Sequence, residues 1–393
     1  MSKHQFSFVL TLLLFLGILN AGNELRVIQL LKDGVNSVDK LQNPTGVAIT
    51  PNGKYLYVAA YGDDAVAIFS RNSSTGKLAY TSNISIKNPR LIRISADSKH
   101  LYLKNLGNNI YVYSIDDESG ALTSVDSLSN LNGCKDFQLS SDGKNLYLAN
   151  RYGIIAYARD TSTGQLSLLN TYEGSGSPVN LSISPNDKYV VRAYSRGIQS
   201  YNRNPTSGEL TSVNNNLGNK IESSIHHATA SDTSGKNIYV SSSIKGVSVN
   251  RKSSDGTISY TDRQSELDDV LSMYVYENRL FTISNSKMNV FSVNSNDGSL
   301  ELLDFYETDS FQGARVLDSP KEVVVSPDGK NIYVVSYSGG KLAVFDRGPT
   351  APSSTTYTES KSSITLSWDK NSETDVAGYN VYRSTTSGFT SSS

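Results

Sequence analysis

One phrase recurs along this chain, and it limits the possible folds more than any other feature. It reads "TPNGKYLYVAAYGDDAVAIFSRNSSTGKL" at 50–78, "SSDGKNLYLANRYGIIAYARDTSTGQL" at 140–166 and "SPDGKNIYVVSYSGGKLAVFD" at 326–346. Anchored on the lysine of the Pro-Asp-Gly-Lys-like turn, copies fall at Lys54, Lys99, Lys144, Lys188, Lys236, a degenerate Arg279, and Lys330, with spacings of 45, 45, 44, 48, 43 and 51. A second marker, the glycine of the Ser-Thr-Gly-Lys-Leu-like turns, falls at Gly76, Gly120, Gly164, Gly208, Gly256 and Gly298, spaced 44, 44, 44, 48 and 42. Two independent markers holding one period indicate a repeat array, in which each unit buries its faces against its neighbours.

Each unit reads as four short strands, in the first copy "GVAIT", "YLYVAA", "AVAIFS" and "LAYTSNI". Asn-Gly and Asp-Gly supply the positive φ that tight hairpins need. The second and third strands are apolar on both faces, as strands sandwiched between sheets are. Four strands in about 44 residues make a propeller blade, so the expected fold is all-β, a seven-bladed β-propeller spanning 24–348. The blades are expected at about 43–87, 88–132, 133–176, 177–221, 222–268, 269–318 and 319–348. The last copy stops at "DRGPTAP" and lacks a fourth strand; "ELRVIQLLKDG" (24–34) is expected to supply it and close the ring. An open ring would leave two unpaired sheet edges.

The two ends differ from the repeats. "MSKHQFSFVLTLLLFLGILNAG" has a basic start, an apolar run from Phe6 to Leu19 and then small residues. It is expected to be a signal peptide over 1–22. Its apolar run falls short of the roughly 20 residues that span a bilayer. The expected location is therefore secreted, periplasmic or at the cell surface, with no integral membrane segment after cleavage. After the Pro- and Ser-rich 349–356, read as a linker, 357–393 places Ile364, Leu366 and Trp368 on one face of a strand, with Tyr379 and Val381 alternating on another. This tail resembles the front half of a fibronectin type III module, an incomplete β-sandwich of that type.

The formal net charge is −1, with 19% charged residues, which gives no footprint for nucleic acid. Cys134 is the only cysteine, so no disulfide can form within the chain, and a lone cysteine reads as a small buried residue. No metal or other cofactor is expected: "GDDAV" (62–66) lacks the alternating oxygen ligands of a calcium loop, and it reads as a turn. Nor is there a Gly-x-Ser-x-Gly elbow for a nucleophilic serine.

The repeat phrases resemble those of lactonase-type, 6-phosphogluconolactonase-like propellers and of YVTN-repeat surface proteins. That resemblance implies the propeller fold and, for the lactonase branch, a site of Arg, His and acidic residues on one face. In those propellers a Gly-Pro-Arg-His-like motif opens inner strands. Here "NPRLIRIS" (88–95) keeps Pro89 and Arg90 but has Leu91 at the histidine place, and "SIHHATASDTSGK" (224–236) has His226 and His227 at the arginine and histidine places.

Strand parity puts the loops that vary between copies at one end of the ring, where sites on a rigid scaffold usually lie. Counting back eight and nine residues from each anchor gives a ring at the channel mouth: Thr45/Gly46, Arg90/Leu91, Lys135/Asp136, Val179/Asn180, His226/His227, Val270/Leu271 beside Asp269, and Lys321/Glu322. The loops between second and third strands add Asp63, Asp64, Arg151, Arg196, Lys245 and Lys287. Arg90, Lys135, Arg151, Arg196 and the two histidines are expected to form a basic arc opposite Asp269 and Glu322, with Asp136 beside Lys135. Arginine forks suit a carboxylate or phosphate, and a histidine suits a general base. The reading favoured by sequence is a secreted binding or scaffold module for a protein, glycan or small anionic ligand. The alternative is a hydrolase that opens the lactone ring of a small acidic substrate, with His226 or His227 as its base.

Overall fold

The structure, a computed structural model, describes residues 3–9, 25–131, 133–174, 176–194, 197–213, 228–242, 246–254, 257–265, 267, 269–307, 310–348, 356–359 and 363–369. Between Arg26 and Asp346 the strands form seven antiparallel sheets of four strands each, the blades of a β-propeller. Their inner strands are Pro44–Ile49, Pro89–Ile94, Asp136–Leu139, Pro178–Ile183, Thr229–Ser231, Ser272–Tyr276 and Pro320–Val325. Glycines at φ 72, 68 and 69 (Gly53, Gly143 and Gly329) turn the first hairpin in blades one, three and seven. The second strands of blades one, two, three and seven are buried at every residue, which explains why these segments are apolar on both faces. The seventh sheet runs Arg26–Lys32, Lys341–Asp346, Asn331–Ser336, Pro320–Val325, so a strand from before blade one forms the outer edge of the last blade.

The repeated phrase is a set of parts for joining one blade to the next. Between blades, apolar side chains pack in layers: Leu342 and Val344 of blade seven share a cluster with Leu56, Ala67 and Phe69 of blade one. Around these layers polar residues of the repeated phrase form a lock. The Tyr333 hydroxyl donates to the Gly76 carbonyl at 3.0 Å and accepts from Arg71 Nε at 2.7 Å. Arg71 Nη2 also reaches Asp328 Oδ2 at 2.7 Å and Asn331 Oδ1 at 2.8 Å. The same lock joins blades two and three through Tyr102, Gly164, Arg159 and Asp97, and blades three and four through Tyr147, Gly208, Arg203 and Asp142. A Cβ on Gly76 would lie 2.1 Å from Asn331 Nδ2, so this turn needs glycine to let the neighbouring blade approach.

These locks give the fold a definite acid response. Burial alone would raise the carboxyls of Asp97, Asp142 and Asp328. Serine hydroxyls (Ser95, Ser140, Ser326), lysine amides and the partner arginines outweigh burial and hold all three below the usual aspartate range. A carboxylate with a depressed folded pKa contributes stability in full above its unfolded value of about 3.9, and loses it as pH falls through the folded value. Asp328→Asn is therefore expected to lower the urea midpoint at pH 6, with the difference from wild type vanishing as pH falls toward 2. A gap that persists at pH 2 would contradict this.

A small hairpin, Ser310–Phe311 with Ala314–Arg315, follows blade six. Separately, Ser363–Asp369 forms the centre of a three-stranded sheet between Lys3–Val9 and Thr356–Glu359. The strand carrying Ile364, Leu366 and Trp368 is thus present, and Lys3–Val9 belongs to the stretch read as a signal peptide. The second tail strand, around Tyr379 and Val381, lies outside the described residues. Among those residues, no helix is long and apolar enough to cross a membrane.

Candidate functional site

The inner strands pair on one edge only, so their other edge needs partners for its backbone amides. Side chains of the channel ring supply several. Glu322 Oε2 accepts from Val47 N at 2.8 Å, Asp136 Oδ2 from Leu181 N at 2.9 Å, and Asn180 Oδ1 from Thr229 N at 3.0 Å. Each acceptor reaches the next blade around the ring. A Cβ on Gly46 would lie 2.6 Å from the Arg90 carbonyl oxygen and 3.3 Å from Glu322 Oε2, so glycine leaves space where Glu322 crosses.

Arg93 bridges three blades across the channel. Its Nη1 donates to Glu322 Oε1 of blade seven at 2.8 Å and to the Ile92 carbonyl at 2.8 Å, while Nη2 lies 3.5 Å from Asp136 Oδ1 of blade three. The three groups border a cavity of about 370 Å³ whose wall also includes Lys135, Lys321, Gln138 and Tyr274. The side chains of Arg93, Glu322 and Asp136 are 20%, 14% and 3% exposed, so Glu322 is the carboxylate more open to a visitor. Burial raises the pKa of both acids, and it prevails over the opposing pull of Arg93 and of the backbone amides. A carboxylate raised in this way is a better proton acceptor near neutral pH than an exposed one.

Four of the residues expected at the site line this cavity: Lys135, Asp136, Lys321 and Glu322. Both lysines are exposed. Arg90 and Arg151 do not line it. The Arg90 guanidinium lies 4.3 Å over the Tyr61 ring, and Arg151 is exposed in the loop between the second and third strands of blade three. Asp269 is half-buried ahead of the inner strand of blade six and is also absent from the wall. Asp63 and Asp64 accept backbone amides of Gln42 and Asn88, both at 2.7 Å, which is a turn-fixing role. Lys287 pairs with Glu307 at 2.9 Å. His226, His227, Arg196 and Lys245 lie outside the described residues. Of the expected basic arc, then, only Lys135 among the described residues borders the cavity. Cys134 is buried, and burial pushes its thiol up to about 12, too high for a thiolate nucleophile.

Arg93 was missed because only the ring at and next to Leu91 was counted along each inner strand. Side chains two apart on a strand share a face, so the place of Arg93, two beyond Leu91, also faces the channel. The signal was available: the other six copies carry Ala48, Gln138, Ser182, Ala230, Met273 and Val324 there, and only blade two carries a charge.

Fold and cavity together define a seven-bladed propeller with an arginine held between two carboxylates in its channel. The sequence profile described as "Lactonase, 7-bladed beta-propeller" matches residues 15–134 and 125–225. The chain belongs to that family. Among solved structures, a candidate 6-phosphogluconolactonase of Bacteroides fragilis aligns with 16% identity over 71% of this chain and 86% of its own, with a TM-score of 0.58. The Pseudomonas aeruginosa periplasmic gluconolactonase aligns with 16% identity over 72% and 87%, with a TM-score of 0.59. A functionally unknown protein of Desulfotomaculum acetoxidans reaches a TM-score of 0.62 at 11% identity, over 74% and 91%. At these identities the structures speak for fold. No curated protein matches the chain.

Proposed function

We propose that this protein is a hydrolase that opens the ring of a small lactone in the channel cavity. Family membership favours this reading over the binding or scaffold module that the sequence alone suggested. The observation that carries it is the Glu322–Arg93–Asp136 constellation on the wall of a cavity whose volume, about 370 Å³, falls in the range of small-molecule sites. Lys135 and Lys321 at the mouth attract an anionic substituent of the substrate. Glu322 takes a proton from water as the water oxygen bonds to the lactone carbonyl carbon. Arg93 stabilises the oxyanion that forms. The intermediate collapses, the bond from carbonyl carbon to ring oxygen breaks, and Glu322 returns the proton to the leaving oxygen. The product is a hydroxy acid, which ionises at neutral pH.

Glu322→Gln is expected to lower kcat by about 100-fold or more, and the wild-type rate is expected to rise with pH through an inflection above the ordinary glutamate value, because burial raises Glu322. If His226→Ala/His227→Ala abolishes turnover and Glu322→Gln leaves it intact, the base is a histidine and this assignment fails. Export belongs to the same proposal. It rests on the basic and apolar N-terminal run, and it suits a lactone met outside the cytoplasm.

A further inference from the structure

One of the interblade locks contains a titratable group where two others have an amide. At three joints an arginine at the end of a third strand meets two side chains of the preceding blade, a turn aspartate and the residue after the anchor lysine. Arg203 meets Asp142 at 2.9 Å and Asn145 Oδ1 at 2.6 Å, and Arg71 meets Asp328 at 2.7 Å and Asn331 Oδ1 at 2.8 Å. Between blades two and three the place of the asparagine belongs to His100. There Arg159 Nη2 lies 2.7 Å from His100 Nδ1 and 3.0 Å from Asp97 Oδ2.

An amide oxygen accepts a hydrogen bond at any ordinary pH, whereas an imidazole nitrogen accepts only while it is unprotonated. Arginine has donors and no acceptor, so Nδ1 is the acceptor here and the ring is neutral, with its proton on Nε2. The ring is tightly enclosed. His100 is 3% exposed, the Arg159 side chain is buried, and a Cβ on Gly164 of blade three would lie 2.3 Å from His100 Cδ2. Asp97 and Lys99 of its own blade face it, with Arg159 and Asp160 of blade three. Burial and the Arg159 charge, helped by Lys99, hold the imidazole below its ordinary range, and the two acids do not outweigh them. Both acids have other partners. Asp97 accepts from Arg159 and from the Lys99 amide at 3.0 Å, and Asp160 accepts the amides of Ser162 and Thr163 at 2.7 and 3.0 Å.

We propose that the joint between blades two and three is an acid-sensitive switch: protonation of His100 Nδ1 expels the Arg159 guanidinium and loosens these two blades, while the joints built with Asn145 and Asn331 hold. This joint fastens the blades that carry Arg93 and Asp136. Tyr102, whose hydroxyl accepts from Arg159 Nε at 2.8 Å, pairs with Arg93 across the sheet. The device does not depend on the reaction assigned to the channel.

The sign follows from the two states of the chain. Well above pH 6.5 the ring is neutral whether folded or unfolded. Below about 6.5 the unfolded chain takes up the proton and the folded chain resists it, so stability declines until the folded value is reached. The test is thermal unfolding of the full chain and of His100→Asn, which installs the residue of the other two joints. Between pH 7.5 and 5.5 the wild-type midpoint is expected to fall by about 2 °C more than that of the variant. Groups elsewhere titrate alike in both chains, so the difference isolates His100. If His100→Asn does not melt cooperatively, His100→Gln takes its place. Nuclear magnetic resonance of histidine-labelled wild-type protein is the second measurement, and the His100 ring is expected to keep its neutral Nε2–H form below about pH 6.5. An equal fall in both chains, or a His100 ring that protonates at or above that value, overturns the proposal.

Discussion

Arg93→Met is expected to destabilise the protein by about 3–5 kcal/mol, the range seen when one partner of a buried ion pair is removed. Methionine fills a similar volume, so the loss comes from charge. Glu322 and Asp136 stay committed to the backbone amides of Val47 and Leu181, and each keeps a carboxylate in an enclosed wall without its counter-ion. Urea unfolding measures the loss. Adding Glu322→Gln and Asp136→Asn removes both stranded charges while keeping groups that accept those amides, and is expected to recover more than half of it. Turnover is expected to be lost in both variants: the first lacks the oxyanion donor, and the second lacks the base as well. If Arg93→Met unfolds at the wild-type midpoint, the bridge contributes nothing to the ring.

Removing residues 25–33 is expected to be more damaging still. Arg26–Lys32 covers the outer edge of blade seven, with Leu31 buried and Ile28 packed on the cluster shared with blade one. Gln29 ties this strand to the neighbouring blade by exchanging two hydrogen bonds with the Leu78 backbone, at 2.9 and 2.8 Å. Without the strand, the Lys341–Asp346 edge lies bare beside exposed apolar side chains, a template for aggregation. The shortened protein is expected in the insoluble fraction, or to melt at least about 10 °C lower. Removal of 1–24 alone, the control, is expected to leave the midpoint of the propeller unchanged. A soluble, fully stable propeller lacking 25–33 would show that the ring closes without it.

The fold was legible because its information is local and repeated. The Gly53, Gly143 and Gly329 turns and the tyrosine–glycine locks recur at one spacing, and each copy confirms the others. The channel ring was half legible for the same reason: counting back from the anchors reached Lys135, Asp136, Lys321 and Glu322, all of which border the cavity. What the count lacked was direction. Arg90 begins an inner strand at the mouth, yet its guanidinium lies on Tyr61 of blade one, a contact between two repeats that spacing does not encode. Arg93 posed the opposite difficulty. Its importance comes from acids on blades seven and three, at residues 322 and 136, and it stands out only when the same place is compared between repeats.

The central claim is lactone opening in the channel, and proton release measures it most directly. The full chain is incubated with a panel of sugar and acyl lactones in weak buffer, and acid production is followed against the spontaneous rate. Turnover is expected on at least one lactone, lost in Glu322→Gln while that variant still melts cooperatively. Acid release at the spontaneous rate across the whole panel would contradict it, and would return the channel to the role of a binding surface.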